Sequence, residues 1–167
     1  MRRLTNLMRP ISLFCLLVGL AGCAPIYVNT EDLGTKATAQ KIRDHYSGNS
    51  IRYALQPGEP VNVEAYFAPD GSYKLVALGG APFFSTGTWQ ANDSNLPTLL
   101  IEAQDFFVDD GSPRSQGASR GAFWIYIQPD GSVKADLVGG GNFDQPRTTP
   151  GFQAEGRYNE LRREAGF

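Results

Sequence analysis

Two fifteen-residue stretches sixty positions apart, YFAPDGSYKLVALGG beginning at Tyr66 and YIQPDGSVKADLVGG beginning at Tyr126, carry nearly the same sequence. Repetition at this length points to a repeated piece of scaffold. Pro69 and Pro129 hold φ near −65°, as the second residue of a type I turn requires. Asp70 and Asp130 suit the next position, and Gly71 and Gly131 can take the left-handed conformation that returns the chain. The flanking residues alternate apolar and polar, so each copy reads as a β-hairpin. After its Gly-Gly, each unit has a further expected strand with Gly two before an aromatic ring: Gly87-Thr88-Trp89 in the first, Gly156-Arg157-Tyr158 in the second.

Period-two patterns predict eight strands: Ile51–Leu55, Val61–Ala68, Ser72–Leu78, Thr86–Ala91, Thr98–Gln104, Phe123–Gln128, Ser132–Val138 and Phe152–Tyr158. Thr35–Tyr46 reads as the one helix before them, with Thr35 as cap, Ala39, Ile42 and Tyr46 on one face, and Ser47-Gly48-Asn49 as its stop. The expected fold is mainly β, an antiparallel eight-stranded barrel or sandwich made of two similar β-meanders, with one N-terminal helix. A polar run opening at Asp109-Asp110-Gly111-Ser112 and reaching Arg120 is expected to be a long loop.

The first 22 residues belong to another plan. Arg2, Arg3 and Arg9 precede the apolar run Ile11–Leu20, which is too short to span a bilayer as a helix and has the layout of an export signal. It ends in Leu20-Ala21-Gly22-Cys23, which resembles the lipobox of bacterial lipoproteins. That resemblance implies a signal at 1–22, a diacylated Cys23 as the mature N-terminus, and, with Ala24 following, a place on the periplasmic face of the outer membrane. Residues 23–34 then read as a lipidated tether and 35–167 as a single β-rich domain.

Three of the fifteen Lys and Arg lie in the signal, leaving twelve against seventeen acids, a net charge of about −5 for the mature chain. Scattered cations under a negative total argue against nucleic acid and against docking on anionic lipid. Membrane contact is expected through acyl chains on Cys23 alone, at about 0.8 kcal/mol per buried methylene. Cys15 leaves with the signal, so no disulfide is expected.

The first unit also carries Ser47-Gly48-Asn49-Ser50, then Tyr66-Phe67 with Asp70-Gly71, then Gly87-Thr88-Trp89. In that order these motifs resemble a family of small exported proteobacterial β-proteins of unknown function. The likeness covers about Ser47 to Trp89 and extends more weakly to Asp130. Family members often carry a cysteine pair in later strands; Leu100 and Ala122 stand near those positions here, so the resemblance implies an apolar pair in place of a bridge. It implies no activity.

No pattern of residues assembles a catalytic, metal or cofactor site. A hydrolytic triad needs a base, and His45 is the only histidine. Near a helix C-terminus beside Asp44, a positive imidazole would favour the helix dipole. Zinc lacks ligands, and Asp105, Asp109 and Asp110 do not have EF-hand spacing. Glu64 and Glu102 face away from the aliphatic rows and would be the pair for glycan cleavage if they stood about 5–9 Å apart.

The remaining lead is aromatic. Tyr66, Trp124 and Tyr126 lie opposite the aliphatic rows, either beneath a second layer supplied by the helix around Ile42 or as a patch for an envelope protein, glycan or lipid. Of the three, Trp124 is expected to be covered and Tyr126 partly exposed. The chain thus reads first as a non-catalytic binding or interaction module of the envelope. A tethered inhibitor of a periplasmic hydrolase such as lysozyme, acting through Asp109, Asp110, Arg114 and Arg120, is the alternative. A cell-wall glycan hydrolase using Glu64 and Glu102 is the third reading.

Cys23→Ser removes the thiol that would carry the lipid. The variant should accumulate as an uncleaved precursor that incorporates no palmitate, and cleavage with labelling at the same site would refute the lipobox.

Overall fold

The computed structural model describes residues 35–54, 60–109, 112–138, 142–145 and 147–167. The signal, Cys23 and the tether lie outside them, as does Asp110. The fold is mainly β, one antiparallel sheet curled into a half-barrel, with a short helix near the N-terminus and a second at the C-terminus.

In chain order the elements are α1 (Ala39–Tyr46), β1 (Asn49–Tyr53), β2 (Val63–Phe67), β3 (Ser72–Ala77), β4 (Phe83–Asn92), β5 (Thr98–Asp109), β6 (Ser112–Ile127), β7 (Val133–Leu137), β8 (Asn142–Gln145), β9 (Thr149–Pro150) and α2 (Glu155–Glu164). The strands pair in the order β8-β7-β6-β5-β4-β3-β2-β1-β9. Because β9 follows β8 closely in sequence and pairs with β1, the two ends of the sheet are drawn towards each other. Tyr46 Oη, donating to Gln145 Oε1 at 2.6 Å, ties α1 to β8 across that gap.

Both expected hairpins form. Gly71 and Gly131 adopt φ of +85° and +83°. Asp70 and Asp130 each accept from the backbone N–H of the serine two residues on, at 2.9 Å in both copies. That bond lowers the Asp70 pKa, and the Ser132 hydroxyl does the same first for Asp130. The copies diverge after the glycines. The third strand of the first meander is β4, as expected, but that of the second is β8, and Phe152–Tyr158 is not a strand. Gly156, Arg157 and Tyr158 lie in α2, where Tyr158, Leu161 and Ala165 recur three and four apart and are buried together. Helical spacing over that longer window outweighs the local likeness to Gly87-Thr88-Trp89.

The sheet buries both faces. Inside, Val63, Ala65 and Phe67 of β2, Leu75 of β3, Leu99 of β5 and Ile125 of β6 meet Ile42 and Tyr46 of α1. Outside, α2 covers Val76, Phe84 and Val108. Glu64, fully buried on this outer face, accepts from the backbone N–H of Gln153 at 2.6 Å and of Ala154 at 3.2 Å, and from Arg52 Nε at 2.7 Å. Ala154, the N-cap of α2, offers no capping side chain, so a carboxylate from β2 satisfies the helix entrance and opposes its dipole.

The first helix begins later than expected. Thr38, not Thr35, is its cap, with Oγ1 accepting from Lys41 N at 3.3 Å. Lys36 is instead bridged to Tyr126, and Ala37 N donates to Ile125 O at 2.7 Å, so strand pairing captures the residues before the helix. Ser112–Arg120 is likewise not a loop: it lies in β6, which pairs with β5 up to Asp109 as a two-stranded ribbon with one bulge near Asp105 and Phe106. Alternation there is masked by polar residues because both faces are wet. Leu100 and Ala122 are direct cross-strand partners.

Two predictions follow from these contacts. Gly71→Val and Gly131→Val should each cost on the order of 1–2 kcal/mol or more through strain at positive φ, whereas Asp70→Asn should be nearly neutral in thermal melts. Glu64→Ala should cost about 1–3 kcal/mol by leaving two part-buried backbone donors without their acceptor, and Glu64→Gln, which keeps an acceptor, clearly less in the same denaturant melts.

Candidate functional site

Ser47–Ser50, the Asp70-Gly71 turn and Gly87–Trp89 converge at one end of the half-barrel. Gly48 N donates to Phe67 O at 2.8 Å, Trp89 N to Gly71 O at 2.8 Å, and Trp89 Nε1 to Ala68 O at 2.8 Å. The Trp89 indole is 7% exposed and meets the Phe67 ring edge-on at 5.7 Å. Ser-Gly-Asn-Ser, the Asp-Gly turn and Gly-Thr-Trp are therefore three sides of one structural clamp.

Gly87 has a different task. A Cβ there would stand 2.0 Å from Glu102 O and 2.6 Å from Ala103 Cα, so only glycine allows β4 to approach β5 this closely. On the outer face a shallow groove of about 460 Å³ lies over β4, β5 and β6. Its side chains are Thr86 and Thr88, Glu102 and Gln104, and Ala118 and Arg120. Arg120 Nε reaches Glu102 Oε1 at 2.9 Å across the strand pair, with side chains 74% and 58% exposed. Gln104 Nε2 donates to Gly117 O at 2.7 Å and also to Ser115 Oγ. A pair this exposed contributes little to stability, so its partners remain available for exchange with a ligand.

The aromatic residues do not form one patch. Tyr66 on β2 and Trp124 and Tyr126 on β6 are four strand spacings apart, about 19 Å along the sheet. Tyr66 stacks on Phe152 at 5.3 Å under the chain leading into α2. Trp124 and Tyr126 are covered by the segment ahead of α1, with Lys36 Nζ 4.2 Å from the Trp124 ring centroid and 6.0 Å from that of Tyr126. Tyr126 is only 7% exposed and Trp124 half-buried, the reverse of the expected order. Burial, with Asp136 adding its charge, raises the Tyr126 pKa. The helix around Ile42 lies on the opposite, inner face. The cover over these rings comes from a short extended segment that has no periodicity to read.

Glu64 and Glu102 do not face each other. Three strand spacings, about 14 Å, and a further four residues along β5 separate them. Glu64 is committed to α2. Of the expected interaction loop, Asp109 ends β5, and Arg114 and Arg120 are exposed positions on β6. Asp105 lies on the inner face of β5, in register with Ser85 of β4.

His45 departs from its expected role. Its Nε2 is buried and has no hydrogen-bond partner among the described residues, while its ring meets Tyr46 edge-on at 5.0 Å. Burial lowers its pKa below the ordinary 6.5, so the neutral ring, not a dipole-paired cation, is the folded form. The unfolded chain then binds a proton more readily than the folded one. This contribution to stability is present above the unfolded value and is lost as pH falls through the lower folded value. Denaturant midpoints should decline below about pH 6.5, and His45→Gln should flatten that decline.

Comparison of the chain with known proteins finds no matching family model, no matching curated protein and no matching solved structure.

Proposed function

We propose that this chain is a lipid-anchored, non-catalytic binding module of the bacterial envelope, held through acyl chains on Cys23 at the periplasmic face of the outer membrane. The observation that carries the anchor is the order of cationic residues, apolar run, small residues and Cys23. The groove over β4–β6 supports the binding role. Polar side chains line it, and its Glu102–Arg120 pair can trade partners with a polar ligand such as a glycan or an envelope protein. The likeness to small exported β-proteins, spanning Ser47 to Trp89, agrees with this location and adds no activity.

A second reading is a tethered inhibitor of a periplasmic hydrolase. It is favoured by the ribbon of β5 and β6: β7 pairs with β6 only from Phe123 to Ile127, so Ser112–Gly121 has β5 as its one neighbour among the described strands. A two-stranded finger of this kind can enter a cleft without the ordering cost of a loose loop.

Thr88→Tyr combined with Arg120→Glu would fill and recharge the groove. The double variant should melt within roughly 1 kcal/mol of wild type yet lose crosslinked partners recovered from membranes by the native lipoprotein. Unchanged recovery would remove the groove from the proposal. Inhibition of lysozyme by the wild-type chain, abolished by Arg114→Glu, would instead select the inhibitor.

A further inference from the structure

The outer face of β6 continues beyond the groove. Arg120, Ala122 and Trp124 alternate along the strand and therefore project from the same face. Ala122 stands directly opposite Leu100 of β5, and on its other side its carbonyl accepts from Val138 N at 2.8 Å. Trp124 pairs with Asp136 of β7, which places Val138 on this face as well, and Val138 is 45% exposed. A low apolar saddle of Leu100, Ala122 and Val138 thus joins the groove to the Trp124 ring. Lys36 Nζ lies 4.2 Å from the centroid of that ring, yet the ring is only half-buried. Arg120 and Trp124 are four residues apart, about 13 Å along the strand.

The two ends of this track ask for different chemistry. At the groove, the exposed Glu102–Arg120 pair sets carboxylate acceptors beside guanidinium donors, with the hydroxyls of Thr86 and Thr88 alongside. Neighbouring hydroxyl groups, each both donor and acceptor, match such a pair. Over the saddle and at Trp124 the surface is mainly apolar. A sugar ring carries both kinds of surface: hydroxyls around its rim, and C–H groups on its face whose slightly positive hydrogens are drawn to the negative face of an indole. Beneath the groove β4 and β5 are hydrogen-bonded to strands on both edges. It therefore offers a ligand side chains, and not the backbone partners that an extended peptide uses.

We infer that the groove and the Trp124 ring are two subsites of one track for a linear glycan longer than a single sugar. Glu102 and Arg120 hold the hydroxyls of one ring, and the C–H face of a later ring lies on Trp124. The inference rests on the binding role proposed for the groove and adds to it the class of ligand and a second subsite.

Chitotriose is a suitable probe, with N-acetylglucosamine as the single sugar and trialanine as a peptide of three units. The full chain is purified in a detergent without a sugar headgroup. Chitotriose should saturably shift the amide resonances of Glu102 and Arg120 and the indole N–H of Trp124, while the indole N–H of the buried Trp89 stays in place. It should bind at least about tenfold more tightly than N-acetylglucosamine, a difference of about 1.4 kcal/mol. Trp124→Ala should reduce chitotriose binding to that of the single sugar and leave the single sugar unaffected. Equal affinity for the two sugars, trialanine bound as tightly as chitotriose, or no saturable shift by about 10 mM would each overturn the inference. Chitotriose held at Glu102 and Arg120 but indifferent to Trp124→Ala would overturn the second subsite and leave the groove standing. Membrane partners lost in the Thr88→Tyr, Arg120→Glu double variant, with no glycan bound by the wild type, would overturn the ligand class and again spare the groove. The comparison of the two sugars on the unaltered chain decides the matter even if Trp124→Ala does not fold.

Discussion

The Trp89 side chain holds together parts of the chain that local propensity alone would leave independent. Its indole N–H closes the Ala68 carbonyl of the first turn, its backbone N–H closes Gly71, and its ring abuts Phe67. Phe67 in turn packs against Tyr46 of α1 at 4.7 Å and Tyr73 of β3 at 5.4 Å. One helix, one hairpin and the strand that follows are thereby fixed around four rings. Aromatic rings bury large areas at small entropic cost, and each tyrosine or tryptophan here also places its polar atom. Two residues before it, at Gly87, the missing Cβ lets β4 approach the β5 backbone closely.

Most of this architecture could be read from the residues. Pro-Asp-Gly-Ser specifies both hairpins because each residue answers a separate dihedral or hydrogen-bond demand, and Ile42 and Tyr46 reveal the buried face of α1. Reading failed where a longer-range partner decided the outcome. Gly156-Arg157-Tyr158 matches a strand motif over three residues, but Tyr158, Leu161 and Ala165 commit the segment to a helix over eight. Thr35 is as good a cap as Thr38 in isolation; the edge of β6, which accepts Lys36 and Ala37, breaks the tie. Ser112–Arg120 of β6 was illegible because a polar run with solvent on both faces carries no alternation.

The sites were less legible than the fold for the same reason. Arg120 and Glu102 stood out separately, as a loop cation and a strand carboxylate, and only the register of β5 against β6 makes them a pair. Asp105 looked like one of three clustered acids along the chain. Its direction comes from the register of β4 against β5, which sets Ser85 Oγ 2.6 Å from its Oδ1. Tyr66 and Trp124 shared a face in the pattern, yet a face of a wide sheet is not a neighbourhood.

The contacts of Glu64 bear on the order in which this chain can become complete. Residues reach the far side of a membrane, or leave the ribosome, beginning from the N-terminus. Strand β2 is available early, but two of the three donors to its buried carboxylate belong to Gln153 and Ala154, and β1 meets its outer neighbour only at Thr149 and Pro150. Until those residues arrive, the half-barrel has an open seam, and a charged group on its outer face lacks most of its hydrogen bonds. Closure of the seam at β1 and satisfaction of Glu64 therefore both depend on residues 149–154.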